Sequence, residues 1–366
     1  MKTLLVGDVS PTAVTDPLFA SGDVDALFSD MVSLFEGNNV NFVNLECALT
    51  DCDKEIEKFG PPLKACANVA NVLREVGVNY CGLSNNHIFD FGIQGARDTM
   101  KALNKAGIIY TGFGENYEDS RENLIITADG EKLAIIAVCE HEYSYALEDR
   151  MGSRPYDEYH TMDDIRRAKE TCDRVVVIYH GGKEYCKYPS PRLRKLAQAM
   201  ARNGADVVLC QHSHCIGCYE KYEDCHILYG QGNFHFVKPS FIGPEIEKIW
   251  NSSLAVKYDS ATHEIEFIPL VVENDGIALA KGEEKKTLLE EFANRNEALQ
   301  NGSWREGRHA FCESVKESYL EILAKAAAAG ATEMENKHFG HYLDCEAHTD
   351  VWRELFPTAN MTNERE

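Results

Sequence analysis

Five short segments, spread over the first two thirds of the chain, carry side chains of the types that bind metals or move protons. They are Gly7-Asp8-Val9-Ser10, Asn44-Leu45-Glu46, Ser84-Asn85-Asn86-His87 with Asp90 just beyond, Tyr179-His180-Gly181-Gly182 with Glu184 beyond, and Cys210-Gln211-His212-Ser213-His214. Singly, each has an ordinary reading. An Asp or Asn after a strand is usually a turn residue or a helix cap, and a lone His is more often a hydrogen-bonded structural residue. Two histidines one residue apart face the same side of any extended segment. The joint pattern is more specific, because carboxylate bridges hard or borderline cations while imidazole and amide oxygen complete their shells. Two cations about 3.5–4 Å apart activate water and clamp a transferring phosphoryl or acyl group.

The elements that must position these groups are legible. Apolar or β-branched runs at 3–7, 40–45, 78–83, 108–111, 133–139, 174–179 and 206–210 alternate with helical stretches at about 23–36, 66–76, 95–106, 161–172 and 190–203. That alternation predicts an α/β core with buried strands. Each chemical segment then falls just after a strand, where open α/β sheets place ligands. Thr161-x-x-Asp164 reads as a capping box opening a helix. After about 225 the runs at 225–229, 252–258 and 263–270 lack intervening helices and suggest a second, antiparallel or mixed sheet. From about 284 the chain reads as helical, most clearly at 284–300 and 308–329, and the tail from 357 is polar. The expected division is a domain over 1–275 and a helical C-terminal extension over 276–366, packed on the core.

Composition bounds the function. The 366 residues carry 37 Lys+Arg against 59 Asp+Glu, a net charge of −22. A field of that sign repels nucleic acid and anionic membranes, so neither is expected as a partner, although a locally positive metal centre still accepts an anion. No apolar run reaches the roughly 18 residues of a membrane span. Thirteen cysteines, an odd number, and no apparent export signal point to reduced thiols and a cytoplasmic protein. Cys215-x2-Cys218 has zinc-ribbon spacing but lacks a second such pair, so buried thiols are the expectation there.

The order of the five segments resembles that of the calcineurin-like metallophosphoesterases, whose motifs run Asp-x-His, Gly-Asp, Gly-Asn-His, His and Gly-His-x-His. Ser10 stands where the usual His would be, and Glu46 where the bridging Asp would be. Asn44-Leu45-Glu46 and Asn85-Asn86-His87-x-x-Asp90-x-Gly92 are instead similar to the CapA-like capsule-synthesis branch, linked to poly-γ-glutamate production. Phe59-Gly60-Pro61-Pro62, His180-Gly181-Gly182-x-Glu184 and Tyr229-Gly230-Gln231-Gly232-Asn233-Phe234 match that branch as well. The resemblance covers about 1–270 and implies a four-layer α/β/β/α metallophosphoesterase-like sandwich.

It also implies roles. Asp8 and His214 would hold a first divalent ion, Asn86, His180 and His212 a second, and Glu46 would bridge them. The ions would be Mn, Fe or Zn, with the first site weaker because Ser10 replaces an imidazole. His87 would be general acid or oxyanion donor, oriented by Asp90. Glu184 and Asn233 are candidates for the rim or the supporting layer and so for substrate binding. His141, also after an expected strand, is either substrate-facing or a plain loop residue. Lys58 and Lys64 flank Pro61-Pro62, where they could meet an anionic substrate, though solvated surface lysines are the commoner case. The expected activity is a dinuclear metal-dependent hydrolase using metal-activated water on a phosphoester or amide bond. Its substrate would be an anionic small molecule or a poly-γ-glutamate-like polymer. A second reading is a non-catalytic polyanion-binding or synthase-assembly component on the same fold; the intact Asn86-His87 pair favours the enzyme.

Overall fold

Strand alternation sorts the apolar side chains into three cores. In Lys2–Val9, Leu5 faces one way while Leu4 and Val6 face the other; in Arg174–His180, Val176 and Ile178 oppose Val175 and Val177. The structure, a computed structural model, describes residues 1–140 and 143–357. It contains two facing sheets. Leu5, Phe42, Ile135, Val176 and Leu209 fill the layer between them. Leu4, Val43 and Cys81 pack outward on helices including Asn68–Glu75 and Gly92–Ala106, through Leu73 and Leu103. Val177 and Val208 pack outward on His160–Thr171 and Pro191–Arg202, through Ile165 and Leu196. The result is the four-layer α/β/β/α sandwich.

The first sheet runs Gly276–Leu279, Glu264–Glu273, Ser252–Asp259, Lys2–Val9, Val40–Leu45, Tyr80–Gly82, Ile109–Thr111, with Asn233–His235 also paired to Lys2–Val9. Its N-terminal strands are parallel to one another, and the three late strands are antiparallel. The second runs Tyr219–Tyr222, Cys225–Leu228, Val207–Gln211, Arg174–His180, Glu131–Cys139, Leu124–Ala128, parallel in its four central strands. The strands after 225 therefore make no sheet of their own. Cys225–Leu228 extends the second sheet, and Ser252–Asp259 covers the free edge of Lys2–Val9, where unpaired backbone would otherwise meet water.

Two local expectations fail for local reasons. The helix expected over 23–36 is Val24–Phe28 followed by a 3₁₀ segment, Ser29–Phe35, and Ser29 breaks the run with a φ of 45°. The capping box at Thr161 does not form. The helix begins at His160 and is capped by Asp157, whose Oδ1 accepts from the His160 N–H at 2.7 Å. Asp164 instead pairs with Arg121 and the buried Arg154.

The sheet continues to Leu279, past residue 275, and four helices follow: Gly282–Asn301, Trp304–Ala327, Glu333–Asp344 and Glu346–Leu355. Leu299 and Trp304 join the outer core of the second sheet, while Tyr319 and Val351 form a smaller core of their own. Asp350 ties the last helix down, accepting from Ser190 Oγ at 2.6 Å and from Arg192 at 2.9 Å. Among the described residues no helix is long and apolar enough to cross a membrane, and no disulfide forms; Cys215 and Cys218 are buried.

Asp8 pairs with Asn233 across parallel strands, and this depends on two glycines. A Cβ on Gly7 would sit 2.0 Å from the Gly232 carbonyl oxygen, a backbone atom that cannot swing away. Gly7→Ala should therefore destabilise the fold by about 1–3 kcal/mol or more, read as a lower urea midpoint. An unchanged midpoint would show that the strands are not in this register.

Candidate metal centre

Strand ends from both sheets converge at one edge of the sandwich. Asp8 closes Lys2–Val9, Glu46 follows Val40–Leu45, His180 closes Arg174–His180, and His212 and His214 follow Val207–Gln211. Asp8, Glu46 and His180 are fully buried. His212 and His214 have φ of 76° and 51°, a left-handed backbone that side chains other than glycine adopt at a cost. That turn brings both imidazoles to the same place. Two groups result, Asp8–Glu46–His214 and Glu46–His180–His212, in each of which one ligand atom per residue lies within 4.8 Å of the others. Glu46 belongs to both. Asn86 joins the second, its Oδ1 being 2.9 Å from His180 Nε2.

The electrostatics of the protein part alone are unfavourable. Burial, then the neighbouring Glu46, pushes the Asp8 carboxyl up to about 6, against partial relief from His180 and His214. Burial likewise raises Glu46. Both Glu46 oxygens are buried without a hydrogen-bond donor, although His180 Nε2 is 3.2 Å from Oε1. Buried carboxylate oxygens are normally satisfied, so two orphaned oxygens shared between two imidazole-bearing groups fit a bridging position between cations. The mixed carboxylate and imidazole donors suit borderline divalent ions. Ser10 is fully buried.

Beside this centre lies an ion-paired triad. His87 Nδ1 is 2.7 Å from Asp90 Oδ2, and Lys58 Nζ is 2.5 Å from Asp90 Oδ1. Lys58 Nζ is also 3.1 Å from His87 Nδ1. An ammonium has no acceptor, so the Nδ1–H donates to the Asp90 carboxylate, which fixes the ring's orientation with Nε2 on the opposite edge. Burial raises the Asp90 carboxyl, but His87 and Lys58 outweigh it and hold Asp90 below the ordinary range. The solvated reading of Lys58 is thus overturned, since its side chain is only 5% exposed. Lys64, in contrast, is not brought to the centre as a substrate contact. Its ammonium donates to the Cys52 carbonyl at 2.9 Å and Asp53 at 2.7 Å, near the Phe91 ring.

Asn233 also differs from a substrate contact. It is buried behind His214, with Oδ1 2.8 Å from His214 Nδ1, and so orients a ligand candidate. Asn44 borders His180 on the other side: its Nδ2 donates to Asp8 Oδ1 at 2.7 Å and lies 3.0 Å from His180 Nδ1. Sequence reasoning passed over Asn44 as part of a motif; its place on the strand before Glu46, facing the same edge, was the available signal. Glu184 sits at the rim, 3.7 Å from His212 Nε2 and paired with Lys183. Burial raises it, but Lys183, His212 and His348 hold it well below the usual carboxylate range. His141 lies outside the described residues.

Residues 2–238 match the family model described as "Bacterial capsule synthesis protein PGA_cap". The chain belongs to this family. Among curated PGA_cap relatives, the capsule biosynthesis protein CapA of Bacillus anthracis is 32% identical over 180 residues, covering 48% of this chain and 44% of that protein. The PGA biosynthesis protein CapA of Bacillus subtilis (strain 168) is 28% identical over 245 residues, covering 64% of this chain and 63% of that one. Both alignments span less than two thirds of the relative. A solved phosphatase from Mycoplasma pneumoniae aligns over 74% of this chain and 93% of its own, with a TM-score of 0.47 and 15% identity. That distant likeness carries no argument about activity.

The buried carboxylates set a pH dependence for protein stripped of metal. The folded-state pKa of Asp8, about 6, lies above the ordinary 3.8. Its contribution to stability is therefore intact below about pH 4 and is lost as pH rises through about 6, an effect of about 3 kcal/mol. Glu46→Gln removes one of the two charges. In chelator-stripped protein it should raise stability at pH 8 by about 1–3 kcal/mol and change little at pH 5. Equal effects at both pH values in urea titrations would count against two charged carboxylates sharing this site.

Proposed function

We propose that this PGA_cap protein is a dinuclear metal-dependent hydrolase that cleaves a phosphoester or amide bond in an anionic substrate of poly-γ-glutamate metabolism. The observation that carries this reading is the shared, donorless Glu46 between two imidazole-bearing groups. Asp8, His214 and Glu46 would hold one divalent ion, and His180, His212, Asn86 and Glu46 the other. Such a pair supplies Lewis-acid polarisation of the scissile group and activation of water at neutral pH.

The chain's own residues supply the rest. His87, with its Nδ1–H held by Asp90, would donate from Nε2 to the leaving atom or the developing oxyanion as an imidazolium, the form in which both ring nitrogens carry protons. Lys58 adds a positive charge behind that proton donor and keeps Asp90 ionised. Asn233 Oδ1 holds His214 at its Nδ1 edge, so that the opposite nitrogen faces the centre, and the Asn44 amide bridges Asp8 and His180. Burial of the carboxylates excludes water from all but the open edge, which strengthens each of these interactions. The relatives' names supply the substrate class, since they are described as capsule and PGA biosynthesis proteins.

Two measurements test this reading. With generic phosphoesters and poly-γ-glutamate as substrates, His87→Ala should cut turnover by about 10²–10⁴-fold at near-normal metal content. An unchanged rate would reduce His87 to a structural role, and metal below a tenth of an equivalent after reconstitution would sink the metal reading. Metal titration of the stripped protein should show two unequal steps, because the Asp8 group has one ligand fewer than the His180 group. Asp8→Ala should abolish the weaker step and His180→Ala the tighter one; two equal, tight sites would contradict the assignment.

A further inference from the structure

The last two helices bring together a second set of metal-binding side chains, outside the segment matched to the family. Glu333–Asp344 and Glu346–Leu355 are separated only by Cys345, whose φ of −74° and ψ of 121° interrupt the helix. His341, Cys345 and His348 meet at this break, one ligand atom from each lying within 4.8 Å of the others. Cys345 and His348 are buried and His341 is half-buried. Three such groups converging on one point is more than a lone cysteine or a stray histidine provides.

The surroundings hold the histidine rings as metal ligands are held. Tyr319 Oη is 2.6 Å from His348 Nδ1, and the Tyr342 ring stacks on His348 at 3.8 Å. Metal-bound imidazoles are commonly fixed in this way, through the nitrogen that does not bind the ion. The cluster also borders the centre described above. Ala347, one residue before His348, lines a small cavity together with Lys183 and Ser213, the neighbours of Glu184 and of His212 and His214. The same helical segment lies on the loop that carries Lys58, with the His338 ring stacked on Phe59 at 3.5 Å and Lys337 paired with Glu57.

We propose that His341, Cys345 and His348 form a third, separate metal site, selective for zinc, that clasps the C-terminal helices over the rim of the dinuclear centre. The selectivity follows from the donors. One thiolate and two imidazoles suit a borderline-soft ion in tetrahedral geometry, unlike the thiolate-free, carboxylate-bridged centre beneath. Binding replaces the thiol proton with the ion, and no oxidation or reduction takes place.

The test uses the full-length chain with the lower centre silenced by Asp8→Ala and His180→Ala. After loading with Zn²⁺ and desalting, this background should retain about one equivalent. Co²⁺ in its place should show a thiolate-to-cobalt charge-transfer band in the near ultraviolet. Adding Cys345→Ser should remove the band and reduce retained zinc at least tenfold, with the circular dichroism unchanged. His341→Ala, at the half-buried ligand, provides a second variant should Cys345→Ser fold poorly, and it should also lower zinc retention at least tenfold. Zinc retained equally with and without Cys345 and His341, or cobalt bound without the band, would overturn the site. The two readings fail separately: loss of the third site alone leaves wild-type metal insensitive to Cys345→Ser, and failure of the dinuclear reading leaves one equivalent that Cys345→Ser removes.

Discussion

Two acidic side chains buried side by side are the constraint around which this molecule is arranged. Ligand atoms of Asp8 and Glu46 lie within 4.8 Å of each other in the dry interior. At that separation two unit charges repel by about 3 kcal/mol even at an effective dielectric constant near 20. Nothing in the hydrophobic layers on either side relieves this. Among the described residues, relief comes at Asp8 from His180, His214, the Asn44 amide and the His212 N–H, and at Glu46 from His214, His87 and Lys58. An arrangement this costly in the bare chain is informative, because strain of this kind persists only where the surrounding structure imposes it.

The rest of the fold imposes it in layers. Parallel strands at the centre of each sheet deliver Asp8, Glu46, His180, His212 and His214 to one edge. Left-handed turns at His212 and His214, with the close approach of Gly7 to Gly232, set the final ångström. Asn44, Asn233 and Asp90 then fix amide and imidazole orientations. Asn44 and Asn233 are held in sheet strands, and Asp90, on a loop, is held by its ion pairs with Lys58 and His87. The C-terminal helices add a further layer through Asp350, Tyr319 and the helix lying on Phe59.

Much of this was legible in the residues. Strand and helix alternation over the first 230 residues shows directly in the apolar pattern, because burial on both faces demands continuous β-branched runs. The chemical segments were identifiable because each follows such a run. Other features were hidden for physical reasons. Asn44 looks like motif filler until Asp8 and His180 from other strands are placed against it, and Asn233, a candidate for the rim or the supporting layer, is placed behind His214 only by the packing. Lys58 and Lys64 are alike in sequence, yet one is buried against Asp90 and the other turns to Asp53, a difference that only the path of the loop decides. Leu124–Ala128 is a short apolar run that is mostly left half-exposed, and it is held as a strand by the edge that Glu131–Cys139 offers it. His341, Cys345 and His348 sit in a weakly patterned helical stretch whose break at Cys345 no local signal announced.

By itself the sequence determined the α/β class, the order of the strands that matter and the identity of the groups at their ends. These depend on local periodicity and on residue chemistry, which the chain carries along its length. Tertiary structure alone decided which strands pair, that the late strands close the first sheet instead of forming another, and that Glu46 is shared between two groups. It also decided which polar neighbours point at the centre and that the last helices bring a second set of ligands to its rim. Those are contacts between residues tens to hundreds of positions apart, and they exist only once burial has chosen one packing from the many that the local pattern allows.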